Sequence, residues 1–182
     1  MKNVLAMGNL SEKQRIEHST AEGFLDLFNA QTGSQYQVVH IAGPNEEPDA
    51  VAKDTAGNVL NIEVSLTEDH DGDVAAMLGR SEHKSVEALK THIETVKHGN
   101  GSIRVNSLQD NVVEKLVERI EKKLCKDYGK NVALVIRETS ILWDWELVIP
   151  LIRTYLQGKR VPFDRGIWLL SRDRSRLTQV QP

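Results

Sequence analysis

The sequence predicts a single α/β domain over residues 1–182, with a mixed central sheet flanked by helices. Three features carry that expectation. Apolar residues recur at helical spacing over residues 11–30, 107–127 and 143–156. Short strand-like runs separate these stretches and are bounded by Gly, Pro and Asn. Residues 131–138 form a nearly continuous apolar run, the pattern of a buried strand. Helices that alternate with the later strands call for a mixed sheet covered on both faces.

Taken in order, Ser11 is placed to cap a first helix that ends near Gly33. Ile16, Ala21, Phe24, Leu27 and Phe28 give that helix its apolar side. Residues 36–42 read as a strand, stopped by Gly43-Pro44. Residues 49–53 and 59–66 read as a hairpin across Gly57-Asn58. Residues 67–106 are polar and rich in His and Lys; they allow a loop, a helix around 85–97 and a turn at Gly99-Asn100-Gly101. The next helix, 107–127, puts Val112, Val113, Leu116, Val117, Ile120 and Leu124 on one face. The strand at 131–138, a helix at 143–156 and a final strand at 166–171 complete the pattern. The core is thus helix–strand–strand–strand–helix–strand over about 11–138, with a C-terminal helix and strand over about 139–182.

Composition narrows the function classes. Apolar content of 40% and charged content of 27% are ordinary for a globular protein. The net charge of −3 argues against a generic nucleic-acid coat, although a global sum says little of a local groove. With one cysteine, Cys125, the chain can form neither an internal disulfide nor a Cys-based zinc site. No apolar run is long enough to span a membrane, and residues 1–10 are too weakly apolar for a secretion signal, so a cytoplasmic location is expected. Glu68, Asp69, Asp71 and Asp73 form an acidic cluster, and Lys159, Arg160, Arg165, Arg172, Arg174 and Arg176 make the C-terminal end basic. Solvated surface is the simplest reading of each.

Three acids stand where apolar residues dominate. Glu17 falls within the arc of Ala21, Phe24 and Phe28, at about 100° per residue. An acid there needs a partner or a metal; pairing with an arginine at the core edge is the structural alternative. Asp49 follows Pro48, and Glu63 lies within Ile62-Glu63-Val64-Ser65. Side chains alternate along a strand, so Glu63 and Ser65 share one face while Ile62 and Val64 share the other. If the hairpin sets the register, Asp49 stands beside Glu63, and Glu17, Asp49 and Glu63 converge at one edge of the sheet. Hard oxygen ligands of this kind suit Mg²⁺ or Mn²⁺ better than zinc.

This order of elements, with Pro-Asp on one strand and an acid on the next, resembles the PD-(D/E)XK, or restriction-endonuclease-like, nuclease superfamily over most of the chain. The resemblance implies metal-dependent phosphodiester hydrolysis of nucleic acid, DNA rather than RNA. It implies Asp49 and Glu63 as ligands of the catalytic metal, with the main-chain carbonyl of Val64 beside them and Glu17 assisting from the first helix. A homodimer is common among such nucleases. The chain departs from the pattern at Ser65, where the family usually has lysine. A serine cannot supply positive charge to the reaction. Some members carry the lysine on the helix after the hairpin, and here Lys123 falls at the margin of the apolar arc with Ile120, while Lys115, Lys122 and Lys126 point away. Gln109 lies two heptads earlier on that face. A snorkelling role for Lys123 and a capping role for Gln109 are the structural alternatives. The other functional alternatives are a catalytically inactive module of the same fold that binds nucleic acid or a protein partner, and an interaction protein whose acids are structural.

Other motifs lead nowhere. Asp69, Asp71 and Asp73 are spaced like a calcium loop, but Val74 and Arg80 occupy its required glycine and glutamate places. His70, His83, His92 and His98 form no i, i+4 pair, and His18 is expected to point off the face of Glu17. No nucleophile elbow or phosphate-binding glycine loop is present. Trp145 and Trp168 lie in apolar runs and read as core, with Trp143 more exposed.

Overall fold

Ser11 opens the first helix with a capping box: its side chain accepts from the Gln14 amide, and the Gln14 side chain accepts from the Ser11 amide at 2.9 Å. Helix α1 runs Glu12–Thr32 and stops at Gly33, whose φ of 73° closes the last turn onto the Asn29 carbonyl. The structure is a computed structural model describing residues 10–43, 46–67, 107–139 and 144–182. The acidic cluster at 68–73, the four histidines between 70 and 98, the helix expected at 85–97, the turn at 99–101 and Trp143 lie outside the described residues.

Three strands follow α1: β1 (Gln37–Ile41), β2 (Ala50–Lys53) and β3 (Val59–Leu66). They form an antiparallel meander, with Ala50 opposite Ile62 and Lys53 opposite Val59. The connection spans residues 54–58, as the expected strand bounds left it. The Asp54 carboxylate organises it, accepting from the amides of Ala56 and Asn58 at 2.9 and 2.8 Å, while Gly57 takes a φ of 84°. Helix α2 (Ser107–Leu124) leads to β4 (Val132–Arg137), which lies parallel to β3 with Glu63 opposite Leu134. Helix α3 (Trp145–Leu156), capped by Asp144, crosses to β5 (Ile167–Leu170), parallel to β4. One strand was not foreseen: β6 (Leu177–Gln181) pairs antiparallel with β5 and completes a six-stranded sheet in the order β1-β2-β3-β4-β5-β6. The C-terminal extension is therefore a helix and two strands.

Each face of the sheet carries its own core. Leu60, Ile62, Val64, Ala133 and Val135 pack with Phe24 and Ala21 of α1. Val132, Leu134 and Ile136 pack on the other face with Leu116 and Ile120 of α2 and Val148 and Ile152 of α3. The alternation along β3 thus sends Ile62 and Val64 toward α1 and leaves Glu63 and Ser65 on the side of α2. Trp145 and Trp168 are buried, as their apolar surroundings predict.

Asp164 fixes the entry to β4. Its carboxylate accepts from the Asn131 and Val132 amides at 2.9 and 2.7 Å, and these bonds hold its pKa below the usual carboxylate range despite some burial. Asp164→Ala should lower the unfolding free energy by about 1 kcal/mol, a charged hydrogen-bond value discounted for solvent exposure. Urea denaturation should show this as a lower midpoint with an unchanged slope.

Candidate functional site

Asp49 sits where the β2–β3 ladder ends. Its main-chain carbonyl still accepts from the Ala42 amide at 2.9 Å, but beyond Ala50 the chain turns away from β3. The Asp49 carboxylate takes over as acceptor for the Val64 amide at 2.8 Å, which pins the side chain against β3 next to Glu63. Asp49 was expected inside its strand; it is the residue just before it, and its side chain satisfies backbone rather than continuing the ladder.

Glu63 comes from mid-β3 and is 1% exposed. Its Oε1 accepts from Lys123 Nζ at 2.5 Å, across 60 positions of sequence. Its Oε2 is buried with no hydrogen-bond partner. Lys123 reaches the acid because α2 lays Leu116 and Ile120 into the core and leaves the next turn at the margin, with the lysine side chain 24% exposed. Snorkelling and pairing are here the same arrangement: the stem covers apolar surface while the ammonium meets Glu63.

Glu17 approaches from α1 and is buried. Its partner is a lysine rather than the arginine considered from sequence: Lys13 lies one turn earlier, at 3.4 Å from Oε1. Burial, then the charge of Asp49, pushes Glu17 up from 4.5 to about 7, with Lys13 pulling the other way. Glu63 is raised by the same two causes, burial and the Asp49 charge, and drawn back by Lys123. Asp49 is the link between the acids, since its charge acts on both Glu17 and Glu63.

Glu17, Asp49, Glu63 and Lys123 are thus brought together, with Val64 bonded to Asp49 within the same corner. Gln109 is described in its backbone position only, and its side chain lies outside the described residues. It lies in the first turn of α2, whereas Lys123 lies in the last, roughly 21 Å away along the axis at 1.5 Å per residue. Ser65 is buried on the face of Glu63. His18, expected to point off the buried face, is itself buried and has Nδ1 3.5 Å from Glu22, because the buried side of α1 is broad enough to include residues 16–18.

Glu47 and Tyr128 escaped sequence reasoning, and Lys126, expected to point away from the site, lies beside it. Glu47 and Lys126 form an exposed ion pair beside the site, and the charges of Glu63 and Asp49 add to that of Glu47 in raising the lysine. The Tyr128 hydroxyl is buried with no hydrogen-bond partner, and burial and the charges of Glu63, Glu47 and Asp49 push the phenol well above its ordinary pKa. The only sequence signal for Tyr128 is an aromatic residue between a helix end and a buried strand.

The basic C-terminal residues do not gather into one strip. Lys159 meets Glu121 and lies over the Tyr155 ring, Arg165 donates to Asn131, and Arg176 pairs with Glu146 above the Trp145 ring. Among the described residues no group of three or more His, Cys, Asp and Glu side chains is arranged to hold a metal ion, and no helix is long and apolar enough to cross a membrane. Comparison with protein families, curated proteins and solved structures returned no match.

Glu17 gives the site a pH signature. Its folded-state pKa is raised, so the native state holds a proton that the unfolded chain has released between 4.5 and about 7. Stability from this group is present at low pH and lost as pH rises through that window. Glu17→Gln should therefore be more stable than wild type at about pH 8, by on the order of 2 kcal/mol, and nearly equal to it at about pH 4. Urea denaturation across this range checks the crossover; parallel profiles for the two proteins would refute it.

Proposed function

We propose that the chain hydrolyses phosphodiester bonds in nucleic acid, DNA rather than RNA, at a divalent-metal site of the PD-(D/E)XK kind. The meeting of Glu17, Asp49 and Glu63 with Lys123 carries this proposal. Support also comes from the order, among the described residues, of a helix, three antiparallel strands, a helix and a strand parallel to the third.

The donor set fits a hard cation. Mg²⁺ is commonly held by one or two carboxylates and completes its shell with water and substrate phosphate oxygens, so no all-protein cage is needed. Asp49 and the unpartnered, buried Oε2 of Glu63 supply such a pair, with the Val64 carbonyl as a main-chain oxygen beside them. When bound, Mg²⁺ or Mn²⁺ would polarise a phosphodiester oxygen and acidify a water for in-line attack.

The chain's own groups do the rest. Glu17, beside Asp49, would accept the proton of the attacking water. Lys123 supplies the positive charge that Ser65 cannot, fixed against Glu63 at 2.5 Å and ready for negative charge growing on the phosphate.

The test pairs cleavage with metal binding. Plasmid, linear duplex and single-stranded DNA are incubated with Mg²⁺, Mn²⁺ or EDTA, and Mn²⁺ binding is followed by calorimetry. Wild type should bind Mn²⁺ and cut, and Asp49→Ala and Glu63→Ala should lose both properties. Lys123→Ala should retain Mn²⁺ while cleavage falls by about 100-fold or more, with thermal unfolding monitored because Glu63 loses its cation. Failure of wild type to bind metal or cut any substrate would overturn the proposal in favour of a non-catalytic module.

A further inference from the structure

Strand β6 ends the sheet on one side, with β5 as its neighbour and no further strand beyond it among the described residues. The ladder with β5 fixes which of its main-chain groups point outward. The Ser171 amide donates to the Arg176 carbonyl at 2.9 Å, and the register runs on through Leu170–Leu177, Leu169–Thr178 and Trp168–Gln179. Bonded and non-bonded pairs alternate in an antiparallel ladder, so Leu177 and Gln179 turn their N–H and C=O groups away from β5. Such a row is a template for another strand.

Both outward carbonyls are met by side chains. Gln31 Nε2 donates to the Leu177 carbonyl at 3.2 Å, and Arg153 Nη2 donates to the Gln179 carbonyl at 2.9 Å. Gln31 comes from the last turn of α1 on one face of the sheet, and Arg153 from α3 on the other. The two helices thus reach the same edge from opposite sides. A groove of about 890 Å³ lies between the end of α3 and β6, with Arg153 and Gln179 in its walls, so apolar packing does not seal the edge on that side. A strand added here would run about 4.8 Å from β6, through the space that the Arg153 guanidinium and the Gln31 carboxamide occupy.

The edge is also complementary to itself. Two copies related by a two-fold axis at Thr178 would set Leu177 of each opposite Gln179 of the other, in bonded pairs. We propose that Gln31 and Arg153 are edge guards, which close β6 to this pairing and keep the sheet of one chain from joining that of a second copy. The closure rests on main-chain geometry and does not depend on the metal site, so either can fail without the other.

Gln31 and Arg153 are exposed, so Gln31→Ala combined with Arg153→Ala should leave the fold intact, which thermal unfolding checks. Sedimentation equilibrium should show self-association at least about 10-fold tighter in the double variant than in wild type, the worth of one net hydrogen bond. Hydrogen exchange locates the contact: the Leu177 and Gln179 amides should exchange more slowly in the associated variant than in wild type. Adding Gln179→Pro removes an outward N–H where an edge strand accepts proline, and should restore the wild-type association. Unchanged association of a folded double variant would overturn the proposal. So would tighter association without slowing of those two amides, or with no response to Gln179→Pro.

Discussion

The burial of Glu63 is the constraint around which this corner of the molecule is organised. A carboxylate 1% exposed in the middle of a core strand cannot stay ionised without compensation. Lys123 supplies it on one oxygen only, and Asp49 stands close enough to work against it. Removing Lys123 leaves the buried Glu63 carboxylate uncompensated, whereas removing Glu63 leaves a lysine that still reaches solvent. The arrangement therefore makes the contact between the last turn of α2 and β3 costly to break from one side only.

The same corner concentrates negative charge beyond what its lysines offset at close range. Glu17 responds by holding a proton toward neutral pH, and Tyr128 stays a phenol. Glu47 adds a further charge, balanced at the surface by Lys126. A purely structural core has little reason to collect acids in this way, because an apolar isostere of Glu63 would avoid the desolvation altogether. Perturbed titrating groups held together on rigid elements are a signature of functional sites, and here each acid comes from a different place: a helix, the residue before a strand and the middle of another strand.

Much of this was legible in the sequence for identifiable reasons. The caps at Ser11 and Gly33, the alternation around Glu63 and the apolar run of β4 are local signals, and the elements they mark sit within a few residues of where they were expected. Glu17 and Lys123 stood out because polar residues on apolar helix faces are costly, a signal that survives without knowing what lies opposite. Strand β6 was hidden because Leu177 and Val180 are its only buried residues and polar residues surround them. Tyr128 was hidden because its meaning depends on a non-local contact, the fold of the 128–131 loop back onto β3. Gln109 was singled out by angular position alone, at the opposite end of α2 from Lys123.

Whether the clustered acids exist to hold a cation is best asked by locating one. Crystals soaked in Mn²⁺ would be measured at a wavelength where manganese scatters anomalously. A single strong peak within about 2.0–2.2 Å of carboxylate oxygens of both Asp49 and Glu63 is the predicted result. A map with no peak there at saturating Mn²⁺, and Lys123 still bonded across Glu63, would contradict it.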